Sequence, residues 1–512
     1  MTYPSEHDID RELLTKQFSA LRPLECLTMH CGELNHHVGF LSIWQLWRNI
    51  QPSNTSRLHL IAAAQQPISR EEFIQRLNKT SYPTEIIESL LAQYPPAISG
   101  VHRLIFRNDR LTLDLWFGDV VDDLKTCSIA SNVSRTPSSF VVIGAGIAGL
   151  SITEALTRRG YAVTLIEQEE PLSGASGNPR ALLLSKLPKL NRVSHNLQTM
   201  GALTTARWWG NWVNDVVTST GALLKIDEDD LEKIKNYPAD VVCVVNAQEA
   251  TQLSGITCTT DYMLMPRAVA ISPKAIRHHV LSSPLVTLIK ASATQLIRHK
   301  NDSTWMILDP DQKIITQAHQ VIVANAKDSV TLCPTLPPLT VIRGQISWLP
   351  MSSTSPQCSI GYGGYTTTFQ HQILLGSSFV RDDINTDLRL CEHESNLNLF
   401  KEEFPQFAES FPPIATWQGR ASLRALPRDS MPVVGQVPQM NDVFVLAGLG
   451  SKGFSFAPLC AELLAAQMLG EVLPMPHKLA NAIRPDRFIK KERVRKPYYT
   501  PPVNLDNLSK AP

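Results

Sequence analysis

The 512-residue chain is short of most features that commit a sequence early to a class. None of its nine cysteines form a Cys-x-x-Cys pair, which argues against a zinc ribbon and leaves no disulfide framework to read. Neither sign of charge is in excess. With 48 Lys and Arg against 47 Asp and Glu, the net charge of +1 sets up no global field toward nucleic acid, and any basic surface must be local. No apolar run approaches the roughly 20 residues that span a bilayer. The opening Met1-Thr-Tyr-Pro-Ser-Glu-His-Asp8 has neither the basic n-region nor the apolar h-region of a secretory leader, so the expected location is the cytoplasm. There is no internal repeat and no low-complexity tract. What remains is an ordinary globular composition, 43% hydrophobic and 19% charged, with length for two to four domains.

Against that plain background one stretch stands out. The apolar run Phe140-Val-Val-Ile143 leads directly into Gly144-x-Gly146-x-x-Gly149, followed by helical spacing at Ile152, Ala155 and Leu156. A second β-type run, Ala162 to Ile166, ends on Glu167. This is a βαβ unit of the dinucleotide-binding kind: Gly144 for the tight turn, Gly146 for backbone approach to a pyrophosphate, Gly149 for helix–sheet packing, and the Glu167 carboxylate for a ribose. The small polar loop Ser173-Gly-Ala-Ser-Gly-Asn178 is suited to lie over a cofactor.

Two further strand-like runs, Gln320 to Ala326 and Val443 to Ala447, recur far downstream, and the second opens another glycine turn, Gly448-x-Gly450-x-x-Gly453, ahead of a helix. Two helix N-termini aimed at one ligand suit FAD better than a nicotinamide. One serves the pyrophosphate, and the other stabilises the negative charge that reduction places on the flavin's pyrimidine edge. Residues 185–275 and 335–435 have a different texture. The second is rich in alternating β-patterns (Val341 to Trp348, Tyr362 to Phe369, Gln372 to Leu375). The expectation is therefore an α/β, Rossmann-like FAD domain (about 140–184, 276–334 and 436–488) carrying an inserted, mostly antiparallel substrate domain (about 185–275 and 335–435).

Together with Ile342-Arg-Gly-Gln345, Gly419-Arg-Ala-Ser-Leu-Arg424, Asp429-Ser-Met-Pro432 and Ala457-Pro-Leu459, these motifs give residues 140–488 a resemblance. The chain resembles FAD enzymes of the D-amino-acid-oxidase and glycine-oxidase type. More closely it resembles the oxidoreductase half of the tRNA 5-methylaminomethyl-2-thiouridine biosynthesis bifunctional (MnmC) family. That resemblance implies oxidative removal of the carboxymethyl arm from carboxymethylaminomethyl-uridine at the tRNA wobble position, releasing glyoxylate. It implies FAD contacts from Gly144, Gly146, Gly149, Glu167, Ala175, Ser176, Gly177, Asn178, Gly448, Gly450, Ser451, Lys452 and Gly453. A substrate carboxylate calls for an arginine fork, and Arg424 is the first choice, ahead of Arg420 and Arg343. Where the glycine-oxidase pattern has a further arginine beside the last turn, this chain has Ser451-Lys452.

Residues 1–126 resemble the methyltransferase half of the same family in truncated form. Trp44-Gln-Leu-Trp47, Gly100-Val-His-Arg-Leu104 and Phe117-Gly-Asp119 echo it. The glycine-rich S-adenosylmethionine loop is altered, however, with Asn35, His36 and His37 at its centre, and Gln65-Gln66 stand where an acid is expected. After Asp119 the chain passes almost at once into a polar linker, 127–139. Loss of methyl transfer and of S-adenosylmethionine binding is the expectation, and no metal site is expected. The basic tail 489–512 (Lys490, Lys491, Arg493, Arg495 and Lys496, with Tyr498 and Tyr499) offers phosphate contacts and a stacking platform. Alternatives are a bifunctional enzyme that also methylates, a free glycine- or sarcosine-type oxidase, or a docking role for residues 1–126.

Overall fold

The computed structural model describes residues 10–34, 39–50, 52, 55–77, 82–124, 139–299, 303–351 and 356–489. Asn35, His36 and His37, nearly all of the 127–139 linker and the basic side chains of the C-terminal tail lie outside the described residues.

The centre is a six-stranded sheet in the order Val286–Lys290, Val163–Glu167, Phe140–Ile143, Gln320–Val323, Val443–Ala447, Val433–Gln436, parallel except for the last strand. Strands covered on both faces read as unbroken apolar runs, and Phe140–Ile143 and Val443–Ala447 are buried at every position. Helix Ile147–Thr157 follows the first glycine turn and is buried from Ile147 through Leu156. It packs against the 17-residue helix Gly453–Leu469, which in turn meets helix Leu197–Trp212. An antiparallel trio (Gln295–Arg298, Trp305–Leu308, Ile314–Ala318) closes the sheet's other face, with Trp305 and Ile307 in one core with Val141, Val321 and Val445.

Beside this stands a ten-stranded, chiefly antiparallel sheet built on Val217–Lys225, Tyr262–Ile271, Thr340–Pro350, Tyr365–Phe369, Gln372–Gly376 and Gln418–Leu426. The crossing points between the two sheets differ slightly from those expected. Ala181–Leu183 pairs with Tyr262–Ile271 in the large sheet, and Val433–Gln436 pairs with Val443–Ala447 in the nucleotide sheet. Composition places such boundaries poorly, because hydrogen-bond partners rather than local texture decide which sheet a short strand joins.

The N-terminal region is a folded layer of its own. Cys26–Glu33, Arg57–Ala64 and Leu111–Phe117 run parallel, and Gly100–Phe106 forms a hairpin with the last. Trp44, Trp47, Phe18 and Phe106 lie in a separate core. The sheet stops at Cys26–Glu33: among the described residues no strand pairs with its outer edge. Its other side is fastened to the glycine-turn domain by buried charge. Arg103 pairs with Asp114 (2.7 Å) and reaches Glu462 (3.4 Å). Arg159 bridges Glu462 and Glu471 (2.9 Å each), Arg158 also holds Glu462, and Arg57 holds Glu471 (2.7 Å).

Candidate active site

Three glycines of the first turn act differently. Gly144 has φ +101°, and a Cβ there would lie 2.7 Å from the Ala324 carbonyl oxygen. A Cβ on Gly149 would lie 1.7 Å from the Gly144 oxygen, so the helix can start this close to the strand only without a side chain. Gly146 is different: its nearest neighbour would be Ser176 Oγ at 3.4 Å, leaving its face open toward a cavity. Ser176 Oγ accepts a hydrogen bond from Ile147 N (3.0 Å), tying the polar loop to the helix start. Glu167, ending its strand, accepts from Ala145 N (2.7 Å) and Glu169 N (3.2 Å), which fixes a carboxylate on the same cavity.

That cavity is about 1010 Å³ and is bounded by the first turn, the Ser173–Asn178 loop, the second turn and the large sheet. Gly448 and Gly450 take the left-handed φ values (+71° and +57°) that let the chain turn into helix Gly453–Leu469. A Cβ on Gly453 would approach Ile147 to 3.3 Å, so the two helix N-termini adjoin and open on one space. The residues fit FAD: two amide-bearing, positive helix ends, an acid at the strand end and an uncluttered face at Gly146. Lys452 donates to Gln198, and burial, with Lys186 adding to it, lowers its pKa.

The three arginines separate. Gln418–Leu426 pairs with Thr340–Pro350 in a register that sets Arg424 opposite Ile342 and Arg343 opposite Leu423. Directly opposed residues share a face and neighbours alternate, so Arg343 and Arg424 point to opposite sides. Arg424 lines the cavity. Its Nη2 donates to Ser377 Oγ (2.7 Å), and among the described residues no carboxylate pairs with it. Burial lowers its pKa, with neighbouring Tyr365 partly opposing, yet a guanidinium stays charged. A cation so placed, partly withdrawn from water and without a carboxylate partner among the described residues, suits an anionic ligand. Arg420, on the same face, donates to the Ser173 and Gly174 carbonyls and to Asn178 Oδ1 (3.4 Å), so it holds the loop over the cofactor space rather than a substrate.

Arg343 corrects the expectation. It is fully buried, away from the cavity, and every guanidinium nitrogen is engaged: Nε with Glu392 (2.7 Å), Nη1 with the Asn385 carbonyl, Nη2 with Gln345 Oε1 (3.0 Å) and the Asp387 carbonyl (2.7 Å). Four of its five N–H donors are spent on the protein itself, and it does not line the cavity. Arg180 was not singled out from the sequence. It lines the cavity over the Phe369 ring (5.9 Å), and among the described residues it hydrogen-bonds only to Pro179 O and its buried Nε has no partner. Its place two residues beyond Asn178 was the available signal. Tyr365 was also missed; burial pushes its phenol up. Among the described residues no cluster of His, Cys, Asp and Glu could hold a metal, and no helix is long and apolar enough to cross a membrane.

A parallel sheet with two glycine turns, two converging helix starts and an antiparallel roof carrying an arginine that no carboxylate among the described residues pairs with define an FAD-dependent oxidoreductase. Residues 139–467 match the family described as FAD dependent oxidoreductase (DAO). The chain belongs to that family and, within it, to the tRNA 5-methylaminomethyl-2-thiouridine biosynthesis bifunctional (MnmC) proteins. It is 32% identical to the member from Acinetobacter baylyi over 95% of this chain and 92% of the relative. It is 26% identical to that from Psychrobacter cryohalolentis over 93% and 88%. The first alignment runs over 582 positions, more than this chain's 512, so the relative carries segments absent here. Among solved structures, the fold is similar to glycine oxidase from Geobacillus kaustophilus (TM-score 0.56, 15% identity, 66% of this chain and 96% of that one). It is also similar to iminodiacetate oxidase from Chelativorans sp. BNC1 (0.55, 21%, 68% and 98%).

Proposed function

We propose that this protein oxidises the carboxymethylaminomethyl group of the wobble uridine in tRNA, giving aminomethyl-uridine (or its 2-thio form) and glyoxylate. The observation that carries the reading is Arg424, a partly buried guanidinium in the cofactor cavity that no carboxylate among the described residues pairs with. An N-substituted glycine supplies that carboxylate, and Arg424, braced by Ser377, would orient it by a forked pair. FAD, held by the glycine-turn residues, would supply the two-electron acceptor for oxidation at the α-carbon. The C–N bond thereby becomes an imine, the amine proton leaves to solvent, and water adds to split the imine into primary amine and glyoxylate. Arg420 would keep the Ser173–Asn178 loop closed over the site. Gly144, Gly146, Gly149, Glu167, Ala175, Ser176, Gly177, Asn178, Gly448, Gly450, Ser451, Lys452 and Gly453 would hold the cofactor.

Methyl transfer we read as lost. The N-terminal sheet stops at Cys26–Glu33, Gln65-Gln66 follow the strand Arg57–Ala64 where an acid would face a ribose, and the aligned relative is longer. A tRNA substrate places the protein in the cytoplasm. Nucleoside analysis of tRNA from a strain lacking the gene tests the reading. Accumulated carboxymethylaminomethyl-uridine is the expected result, and an unchanged nucleoside profile would return the chain to free amine oxidation.

A further inference from the structure

Four of the exposed large apolar side chains fall within one stretch of twelve residues at the cavity mouth: Phe379 (55% exposed), Ile384 (73%), Leu388 (50%) and Leu390 (59%). Phe379 and Thr386 line the cavity itself, so the patch is continuous with the site. The stretch is also held in shape from beneath. Arg343 binds the carbonyls of Asn385 and Asp387, Gln345 exchanges hydrogen bonds with the Arg389 backbone (2.9 and 2.8 Å), and Asp383 pairs with Arg389. The backbone at 385, 387 and 389 is thus tied to the strand beneath, while Ile384, Thr386 and Leu388 stand exposed. Holding apolar side chains in water on a fixed backbone is unfavourable unless something covers them, and such patches mark contact surfaces.

We propose that this rim is a docking surface for the unstacked bases that flank the modified nucleotide, with Arg343 as its positioning residue. The inference rests on the tRNA reading above. A polynucleotide whose wobble base enters the cavity must lay its neighbouring bases across the mouth, and the mouth is this patch. The charge there is mixed, with Arg381 beside Asp382 and Asp387, which suits base faces better than a phosphate track. Arg381 lies 5.9 Å from the Phe379 ring centroid, an aromatic and guanidinium pair of the kind on which single-stranded bases stack.

The test is steady-state kinetics of the full-length flavoprotein on an anticodon stem-loop RNA carrying carboxymethylaminomethyl-uridine. The double variant Ile384→Ser/Leu388→Ser should raise KM about tenfold and leave kcat and flavin content unchanged. Phe379→Ala should raise the KM for the RNA likewise. Restoring bulk with Ile384→Leu/Leu388→Met should recover most of the wild-type KM. An unchanged KM would overturn the proposal, and if the variant also abolished self-association it would assign the rim to a second copy. Loss of flavin and kcat along with KM would make the rim merely structural and equally overturn it. A wild type that oxidises free N-alkylglycines but not the stem-loop would instead sink the tRNA reading, and the rim's assignment with it.

Discussion

At the scale of residues, the account rests on Arg424 and on three glycines with different duties. Arg424→Ala should cost about 2–5 kcal/mol in kcat/KM by removing one partner of a desolvated ion pair, with FAD content retained. Arg424→Lys should recover only part, since an ammonium cannot fork onto a carboxylate. Stopped-flow flavin reduction with substrate measures both, and wild-type rates in Arg424→Ala would remove the residue from the site. Gly146→Val should yield folded, colourless protein, because its open face points into the cavity. Gly149→Ala should instead fail to fold, because the new Cβ would sit 1.7 Å from a backbone oxygen. Absorbance and circular dichroism separate the two outcomes. The glycine turns could be read in the sequence because strand, spacing and helix are all local. The resemblance put Arg424 first among the arginines, but what separates Arg343 from it is register, which the sequence does not show. Arg343 and Arg424 look alike in their motifs, and only the pairing of Arg424 with Ile342 puts them on opposite faces of the sheet.

At the scale of elements, a buried charge network joins the N-terminal layer to the flavin domain beside the apolar packing of Ile98 and Ile105. Helix Gly453–Leu469 supplies Glu462 and helix Ile147–Thr157 ends beside Arg158 and Arg159, so the elements that open the cofactor cavity at one end hold the N-terminal layer at the other. Burial pushes the Glu462 and Glu471 carboxyls up, but their arginines outweigh it and hold both well below the ordinary range. Burial likewise acts against Asp114, which Arg103 and His59 bring down to about 2. Carboxylates with depressed folded pKa stabilise fully above their unfolded pKa and lose that contribution as pH falls through the folded value. The Tm should therefore drop steeply from about pH 4 downward. Glu462→Gln should cost about 3–5 kcal/mol at neutral pH by stranding buried arginines and should make that acid limb shallower. Calorimetry across pH 2–7 checks both, and a neutral Glu462→Gln would mean that the network does not hold the layers together. Within residues 10–124, the apolar pattern shows helices Gly39–Ile50 and Thr84–Ala92, strand Arg57–Ala64 and the hairpin of Gly100–Phe106 with Leu111–Phe117. The network could not be foreseen, because its partners lie more than 300 residues apart in the chain.

At the scale of the whole molecule, the proposed loss of methyl transfer rests on the N-terminal sheet, which has its own core and to whose Cys26–Glu33 edge no further strand pairs among the described residues. Incubation with labelled S-adenosylmethionine and aminomethyl-uridine tRNA should leave no label in the RNA. Incorporation above background would show that these residues still methylate.

The central claim is tested most directly by one incubation. Purified protein carrying FAD is mixed with tRNA bearing carboxymethylaminomethyl-uridine and S-adenosylmethionine, and the nucleosides are resolved by mass. The account predicts conversion to aminomethyl-uridine with matching glyoxylate and no further step. Unchanged substrate would contradict the oxidation, and methylaminomethyl-uridine would contradict the loss of methyl transfer.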